Sequence, residues 1–298
     1  MTRSSAQRAT GSTGAKAVCV KQRGPLSAIP LVNAKFRLAA NRTPRRMTAP
    51  PCIFDRELSK LRRRRALPLL ASHDFLHCAA AEEIQERLET LFPTASKHAL
   101  VTGLVGLPDV AKIAGQAAQR TPLNLDDERL DLPLASLDLF VSVLTLHTVN
   151  DLPGALIQIR RALRPGGRFM AALFGPKTLQ ELRAALSEAE LEVEGGISPR
   201  VHPFVDVRDA GALLQRAGFD EPVADTFDLP VVYKSPMRLL HDLRGMGETN
   251  VLVERRKGPL RRATLATAME IYAQRFAVES GVGATFEMLF MSGKAPGS

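Results

Sequence analysis

Residues 145–151, Thr-Leu-His-Thr-Val-Asn-Asp, bring hydroxyl, imidazole, amide and carboxylate groups together directly after an apolar run. If that run is a strand of an open parallel sheet, these groups lie at its carboxyl end, where ligands of such folds bind. His147 is the first candidate for chemistry, because imidazole titrates near neutrality and can act as a base or orient a substrate. A histidine hydrogen-bonded to the backbone at a strand end is the alternative. Asp151 is more simply interpreted as a helix N-cap.

A second candidate is the turn after residues 98–103, which contains Gly103 and Gly106. A ligand that lies directly against the backbone requires glycine, since any Cβ would collide with it. Two isolated glycines also fit a plain structural turn, and the sequence leaves both interpretations open.

A metal centre is not predicted. His73 and His77 lie four residues apart beside Cys78, but no second ligand pair with suitable spacing follows. The other cysteines are Cys19 and Cys52, and three cysteines near the N terminus are too few for a disulfide framework. A reducing compartment is therefore expected.

The elements that must position these residues follow from the apolar pattern. Residues 98–103 are typical of a short buried strand, followed by a turn and a helix beginning at Pro108. Residues 137–146 form the nearly continuous apolar run of a strand buried on both faces. A helix beginning at Asp151 and a strand at 168–174 follow it, so the order is strand, helix, strand. The predicted fold is α/β, doubly wound around a mostly parallel sheet.

Periodicity predicts the remaining elements. Helices are expected at about 80–92, 179–193, 210–217 and 265–276, and strands at 227–233 and 284–291. Pro230 cannot donate to a ladder and indicates an edge strand, whereas the last strand is expected to complete the sheet. The chain is accordingly divided into a leader at 1–46, a helical segment at 47–95 and a main domain at 96–298 that carries additional helices at its C-terminal end.

The charge of the chain is concentrated in the leader. The sequence has 40 Lys and Arg against 31 Asp and Glu, but residues 1–46 hold ten basic residues and no acidic one, which leaves 30 against 31 in the rest. A nucleic-acid-binding domain is therefore not expected, because phosphate binding needs a concentrated basic surface. The run from Arg62 to Arg65 is interpreted as a solvated helix face, with docking to an acidic partner as the alternative.

The leader itself has two interpretations. It is Arg-rich, Ser/Thr-rich and free of acids, as in a mitochondrial transit peptide, or Met47 is the genuine start of a bacterial cytoplasmic protein. In either case we expect no fold there. No apolar run in the chain reaches the roughly 18 residues that span a bilayer.

The segment from Leu137 to Arg183, LDLFVSVLTLHTVNDLPGALIQIRRALRPGGRFMAALFGPKTLQELR, resembles class I S-adenosylmethionine-dependent methyltransferases. Together with IFDREL from residue 53, SPRVHPF at 198–204, LLQRAGF at 213–219 and DLRGMGETN at 242–250, it is similar to a narrower branch. That branch contains malonyl-carrier-protein methyltransferases and the methyltransferase-like assembly factors of respiratory complex I, which are similar to an arginine hydroxylase.

The resemblance implies S-adenosylmethionine as cofactor and a respiratory-chain subunit as protein partner. The residues carried over for cofactor binding are Gly103, Gly106, Asp126, Thr145 and His147. Asp126 matches the carboxylate that accepts the adenine amine, with Asp127 as the fallback.

The sequence departs from the family in three places. Val101 replaces the acidic residue that ends the first strand, and Val105 and Leu107 replace loop glycines. Only 33 residues separate Gly103 from Leu137, so about one strand-helix step is missing or shrunken. Thr148 replaces the tryptophan that follows the histidine.

Three functions remain open at this point. The resemblance favours methyl transfer to an unknown acceptor, which needs orientation more than a fixed acid or base and leaves His147 as a candidate only. The altered loop favours a cofactor-free assembly factor or scaffold. Arginine hydroxylation is implied by the resemblance alone, without a visible set of iron ligands. Glu181, Arg183 and residues 246–250 match positions specific to the branch and indicate a substrate-side or partner-side surface.

Overall fold

A computed structural model of the chain describes residues 51–91, 98–103, 119–120 and 129–297. Its helices are α1 Arg56–Ala66, α2 Phe75–Leu91, α3 Leu152–Ala162, α4 Gln180–Glu194, α5 Val207–Ala217, α6 Pro236–Met246 and α7 Arg262–Arg275. Its strands are β1 Ala99–Thr102, β2 Gln119–Arg120, β3 Leu137–Val143, β4 Leu163–Phe174, β5 Asp220–Tyr233, β6 Ala277–Val278 and β7 Gly281–Lys294.

The strands form a single sheet in the order β2-β1-β3-β4-β7-β5, with β6 paired to β7. The first four strands are parallel, and β7 runs antiparallel to both β4 and β5. The predicted α/β, mostly parallel fold is confirmed. The last strand, β7, was expected to complete the sheet, and it does so from an inner position between β4 and β5. The strand β5, which contains Pro230, forms an edge of the sheet as predicted.

Alternate residues of the buried strands face two separate cores. Val101 and Val141 pack on one face with α2, α4, α6 and α7, whereas Leu100 and Phe140 pack on the other with α3 and α5. Helices on both faces explain why β3 is apolar throughout. Because α2 packs into the first of these cores, residues 75–91 share the core of the main domain.

Local signals in the sequence set most helix ends. The Asp151 carboxylate accepts the N–H of Gly154 at 2.9 Å and caps α3 as predicted. A Cβ on Gly154 would collide with the Asp151 carboxylate in its present position, so a larger residue there would displace the capping side chain. The helices α4 and α5 end at Gly195 and Gly218, which adopt φ of +70° and +83°.

Several boundaries differ from the prediction, and β5 begins at Asp220 rather than at residue 227. The helix α2 begins at Phe75 because Leu76 extends the buried stripe by one turn. The strand β3 ends at Val143, and residues 146–148 form a single 3₁₀ turn. The strand β4 begins at Leu163, with a register shift against β3 that accommodates the Pro-Gly-Gly sequence.

The predicted helix from Pro108 lies outside the described residues, as do the leader and most of the shortened region before β3. Within the described parts of the chain, no helix is both long enough and apolar enough to cross a membrane.

Candidate functional site

Hydroxyl groups from β1 and β3 meet where these adjacent strands end. Thr102 lies opposite Ser142 in the parallel pairing. The Thr145 hydroxyl, just past β3, lies 2.6 Å from that of Ser142 and 3.4 Å from that of Thr102. All three side chains are buried, and half-buried Gly103 follows β1 at the same edge. This network fixes the beginning of the loop that carries His147.

His147 lies in the 3₁₀ turn of that loop with its ring buried. Its Nε2 is 3.0 Å from Oε2 of Glu248, which lies 101 residues later in the chain. Its ring centroid is 4.9 Å from that of Phe174, at the end of β4, and 6.2 Å from that of Phe204. The Nδ1 atom is buried and has no hydrogen-bond partner within the described structure. His147 therefore fixes a carboxylate beside two aromatic rings.

The Glu248 carboxyl is held in its ionised form. Burial opposes ionisation, but the electrostatic attraction and hydrogen bond of His147, with the charge of Arg63, outweigh it and lower the pKa to about 2. Nε2 of His147 must then donate the hydrogen bond, because an ionised carboxylate can only accept. Strongly perturbed carboxyl groups of this kind are concentrated at functional sites.

A cavity of about 200 Å³ lies beside this pair. Its wall contains the rings of Phe174 and Phe204 and the Glu248 carboxylate. Two arginines also line it. Arg200 is neutralised by an ion pair with Glu190, whereas Arg244 is exposed. The lining of the cavity is thus mostly apolar, with leucine side chains as well as these rings, and Glu248 is its carboxylate.

The N-terminal segment is tied to the loop after β3. Oδ1 of Asn150 accepts hydrogen bonds from the backbone N–H groups of Ile53 and Phe54, each at 2.7 Å. Its Nδ2 donates to the Phe54 carbonyl at 3.2 Å. Phe54 also forms a β-bridge with Leu252, shortly after Glu248. Segments that carried the sequence resemblance therefore converge on one site.

Two arginines of the helix α1 contact the loops that carry His147 and Glu248. Arg63 donates to the Thr148 hydroxyl at 3.0 Å, and Arg62 donates to that of Thr249 at 2.5 Å. The sequence indicated that the whole basic run of α1 is solvated. The structure corrects this, because two of its four arginines make these contacts. Only its second half, Arg64 and Arg65, is exposed.

Two buried histidines flank the pair. Burial lowers the pKa of His202 to about 4, and its Nε2 accepts the Val251 N–H at 3.0 Å. Burial likewise lowers the pKa of His77 to about 4, and neither of its ring nitrogens has a partner among the described residues. Both rings are therefore neutral at pH 7. No group of three His, Cys, Asp or Glu side chains in the described ranges is arranged to hold a metal ion.

The branch-specific residues of α4 have different roles. Glu181 is buried and accepts hydrogen bonds from the Thr285 hydroxyl at 2.6 Å and its N–H at 3.1 Å. It fastens α4 to β7. Arg183 points instead into a second cavity, beyond Phe204.

The predicted site residues are only partly within the described structure. Gly103, Thr145 and His147 lie at the carboxyl ends of the adjacent strands β1 and β3, whereas Gly106 and Asp126 lie outside the described residues. Asp127, Val105 and Leu107 also lie outside them. Val101, at the expected acidic position, is buried in the core.

Sequence reasoning missed three side chains of the site, namely Phe174, His202 and Phe204. Phe174 ends a predicted strand, and His202 and Phe204 belong to the His-Pro-Phe sequence at 202–204. These positions were the signal in the sequence that could have placed them in the site.

Similarity to known proteins identifies the family of this chain. A family described as a methyltransferase domain matches residues 87–171. The chain is 38% identical over 264 residues to the mitochondrial arginine-hydroxylase NDUFAF5 of Rattus norvegicus, covering 81% of this chain and 77% of that protein. It is 36% identical over 276 residues to the Homo sapiens protein, covering 84% and 80%.

A malonyl-[acyl-carrier protein] O-methyltransferase of Gallionella capsiferriformans is 33% identical over 174 residues, covering 58% of this chain and 57% of the enzyme. The resemblance inferred from the motifs is thereby confirmed. Because the identity to the first two relatives extends over about four fifths of both sequences, this methyltransferase-like chain belongs to the NDUFAF5 arginine-hydroxylase family of the class I S-adenosylmethionine-dependent methyltransferase superfamily.

Proposed function

We propose that the chain is an S-adenosylmethionine-binding enzyme that modifies an arginine side chain of a partner protein. The observation that carries this proposal is the ionised Glu248 carboxylate, whose side chain is only 12% exposed, in the wall of an apolar cavity that contains phenylalanine rings. A guanidinium group fits both features, since it donates planar hydrogen bonds to carboxylates and stacks on aromatic faces.

The residues around Glu248 then have distinct roles. Glu248 binds the guanidinium group. The rings of Phe174 and Phe204, which meet edge to face with centroids 6.0 Å apart, form an aromatic wall beside it. His147 is a positioning residue, because its Nε2 fixes one carboxylate oxygen at 3.0 Å. Arg200 does not repel the ligand, since Glu190 neutralises it.

The cofactor would lie beside this cavity, at the carboxyl ends of β1 and β3. Gly103 and Thr145 follow neighbouring strands and fit a ligand that approaches the backbone closely and accepts or donates hydrogen bonds. Gly106 and Asp126 complete the proposed set from outside the described residues. When bound, S-adenosylmethionine supplies an activated methyl group. The side chains described here bind, orient and desolvate the acceptor.

Hydroxylation is the reaction named in the two relatives matched over about four fifths of the chain. It would insert one atom of dioxygen into a C–H bond while a two-electron reductant converts the other atom to water, and S-adenosylmethionine supplies neither reagent. Methyl transfer is the second candidate, supported by the matching methyltransferase domain and the malonyl-carrier relatives. Mass spectrometry of arginine peptides from cells with and without the full chain separates them. Hydroxylation adds the mass of one oxygen atom, and methylation adds that of one methylene group. An arginine proteome unchanged by removal of the chain would contradict the proposal.

A cofactor-free scaffold is the remaining alternative, and it is favoured by Val101, Val105 and Leu107 at positions where the family has an acid and glycines. Calorimetric titration of the full chain with S-adenosylmethionine tests it. Binding supports the enzyme, whereas no heat up to millimolar cofactor supports the scaffold.

The partner we propose is a respiratory-chain subunit, as the resemblance to complex I assembly factors implies. Arg244 lines the cavity and is exposed, as are Arg64 and Arg65 on α1, and these charges favour an acidic docking surface on that partner. Affinity capture with the folded chain should recover the subunit, and Arg64→Glu with Arg65→Glu should abolish recovery. Unchanged recovery by the double variant would exclude this docking surface.

The proposed compartment depends on the leader. The names of the relatives and the transit-peptide composition of residues 1–46 support the mitochondrial matrix. A mature N terminus at Met47 would support the bacterial cytoplasm. Sequencing the mature N terminus distinguishes the two.

A further inference from the structure

A second cavity of about 620 Å³ opens beside the first and has no role in the function proposed above. Pro176, Pro199 and Pro203 form part of its wall, together with Phe204 and Leu252. Proline fixes its own backbone dihedral, so these walls are rigid as well as apolar. The volume lies within the range of roughly 300–1,000 Å³ that small-molecule sites occupy.

The charged group that reaches into this apolar cavity is the Arg183 guanidinium. It is half-buried, and its Nη1 and Nη2 atoms lie 3.4 Å and 3.5 Å from the carbonyl oxygens of Pro176 and His202. Both distances are at the outer limit of a hydrogen bond. No carboxylate within the described parts of the chain forms an ion pair with it, although exposed Glu254 lies on the rim. Burial lowers the pKa of Arg183 without an acidic neighbour to offset it.

Two other half-buried arginines have the counter-ion that Arg183 lacks. Arg87 binds both carboxylate oxygens of Asp225, at 2.6 Å and 2.8 Å. Arg200 is paired with Glu190. Withdrawing a guanidinium from water without such a partner is costly. The cost is recovered if an external anion occupies the cavity.

We propose that this cavity is a binding site for a small molecule with an oxyanion, either carboxylate or phosphate, on an apolar body. Arg183 binds the oxyanion in a bidentate manner, and the proline and phenylalanine walls bury the apolar body. The site shares Val201, His202 and Phe204 with the smaller cavity, so its ligand lies against the wall of the arginine site. The proposal does not depend on the identity of the acceptor or on cofactor binding.

Calorimetry on the full chain with three probes of equal chain length tests the proposal. The probes are octanoate, octyl phosphate and octanol, each below its micelle concentration. We expect at least one anion to bind at least tenfold more tightly than octanol, and the tighter anion identifies the oxyanion class. Equal affinity for octanol and both anions, or no binding of any probe, would overturn the proposal.

Variants assign the effect to this cavity. Arg183→Gln should weaken anion binding at least tenfold, whereas Arg216→Gln, the same change at an exposed position on the opposite face, should leave it unchanged. Glu254→Gln leaves Arg183 intact and should strengthen anion binding up to a few fold, because it removes the rim charge. Unaltered affinity in folded Arg183→Gln would refute the assignment. Weaker binding by Glu254→Gln would refute it equally, whether or not the first variant folds.

Discussion

Replacement of Glu248 by glutamine removes the buried charge at the centre of the proposed arginine site while preserving the size of the side chain. The amide oxygen can still accept the hydrogen bond from His147. The carboxyl pKa is about 2 in the folded chain against an ordinary value of 4.5. Each pKa unit is worth roughly 1.4 kcal/mol, so ionisation of Glu248 contributes about 3 kcal/mol at neutral pH.

The sign of the pH dependence follows from the lowered pKa. The contribution is complete above the unfolded pKa of 4.5 and is lost as the pH falls from there towards 2. Glutamine resembles the protonated acid, so Glu248→Gln should lower the free energy of unfolding by up to about 3 kcal/mol at neutral pH and by roughly half as much near pH 3. Urea unfolding of both proteins at the two pH values measures the difference.

Ligand binding should be affected separately. Loss of the carboxylate should cost a guanidinium ligand about 2–5 kcal/mol, which corresponds to roughly 30-fold or more in affinity. The assay is calorimetric titration with N-acetylarginine methylamide and with its neutral citrulline counterpart. The wild-type chain should prefer arginine, and Glu248→Gln should bind both alike.

The matched control is Glu181→Gln, which alters another buried carboxylate that binds Thr285 outside the cavity. It should lower stability by about 1–3 kcal/mol and leave the preference for arginine intact. The reasoning would be refuted if Glu248→Gln retained the wild-type preference, or if its stability difference did not shrink at low pH.

Further predictions concern the residues around the site. His77→Leu should raise the free energy of unfolding by about 1 kcal/mol, because it removes buried ring nitrogens without partners; a loss of stability in urea unfolding would contradict this. His202→Gln should weaken the fall in stability between pH 6.5 and about 4, since the lowered pKa makes the folded state resist protonation in that window; unfolding free energies across the window check it, and an unaltered slope would count against it. Asn150→Ala should lower the free energy of unfolding by about 2–3 kcal/mol and speed proteolysis near residues 51–54, because it leaves two backbone N–H groups without their acceptor. Cleavage at the wild-type rate would show that these hydrogen bonds do not hold the segment. Asp151→Ala should lower stability by about 1 kcal/mol through loss of the α3 cap, as measured by chemical denaturation; no change would exclude a capping role.

The sequence predicted the elements whose signals are local. The apolar run of β3, the Asp151 cap and the glycines after α4 and α5 each act within a few residues, and the βαβ unit followed from them. The antiparallel insertion of β7 between β4 and β5 could not be predicted, because pairing across more than 100 residues leaves no period in the sequence.

The site shows the same division. His147 and Thr145 were predictable, since they directly follow a recognisable strand. Glu248 was identified only as part of a polar turn, because its partner lies 101 residues away. The contacts of Arg62 and Arg63 with threonines after β3 and α6 were missed, since four consecutive arginines indicate solvent exposure unless the docking of the helix is known.

The most direct test of the arginine-modifying function is mass spectrometry of arginine peptides from cells that carry the wild-type chain, Glu248→Gln or Glu181→Gln in place of the native copy. The account predicts one arginine site, in a respiratory-chain subunit, that gains an oxygen atom or a methylene group with the wild type and with Glu181→Gln and remains unmodified with Glu248→Gln. No modified arginine with the wild type, or equal modification with Glu248→Gln, would contradict it.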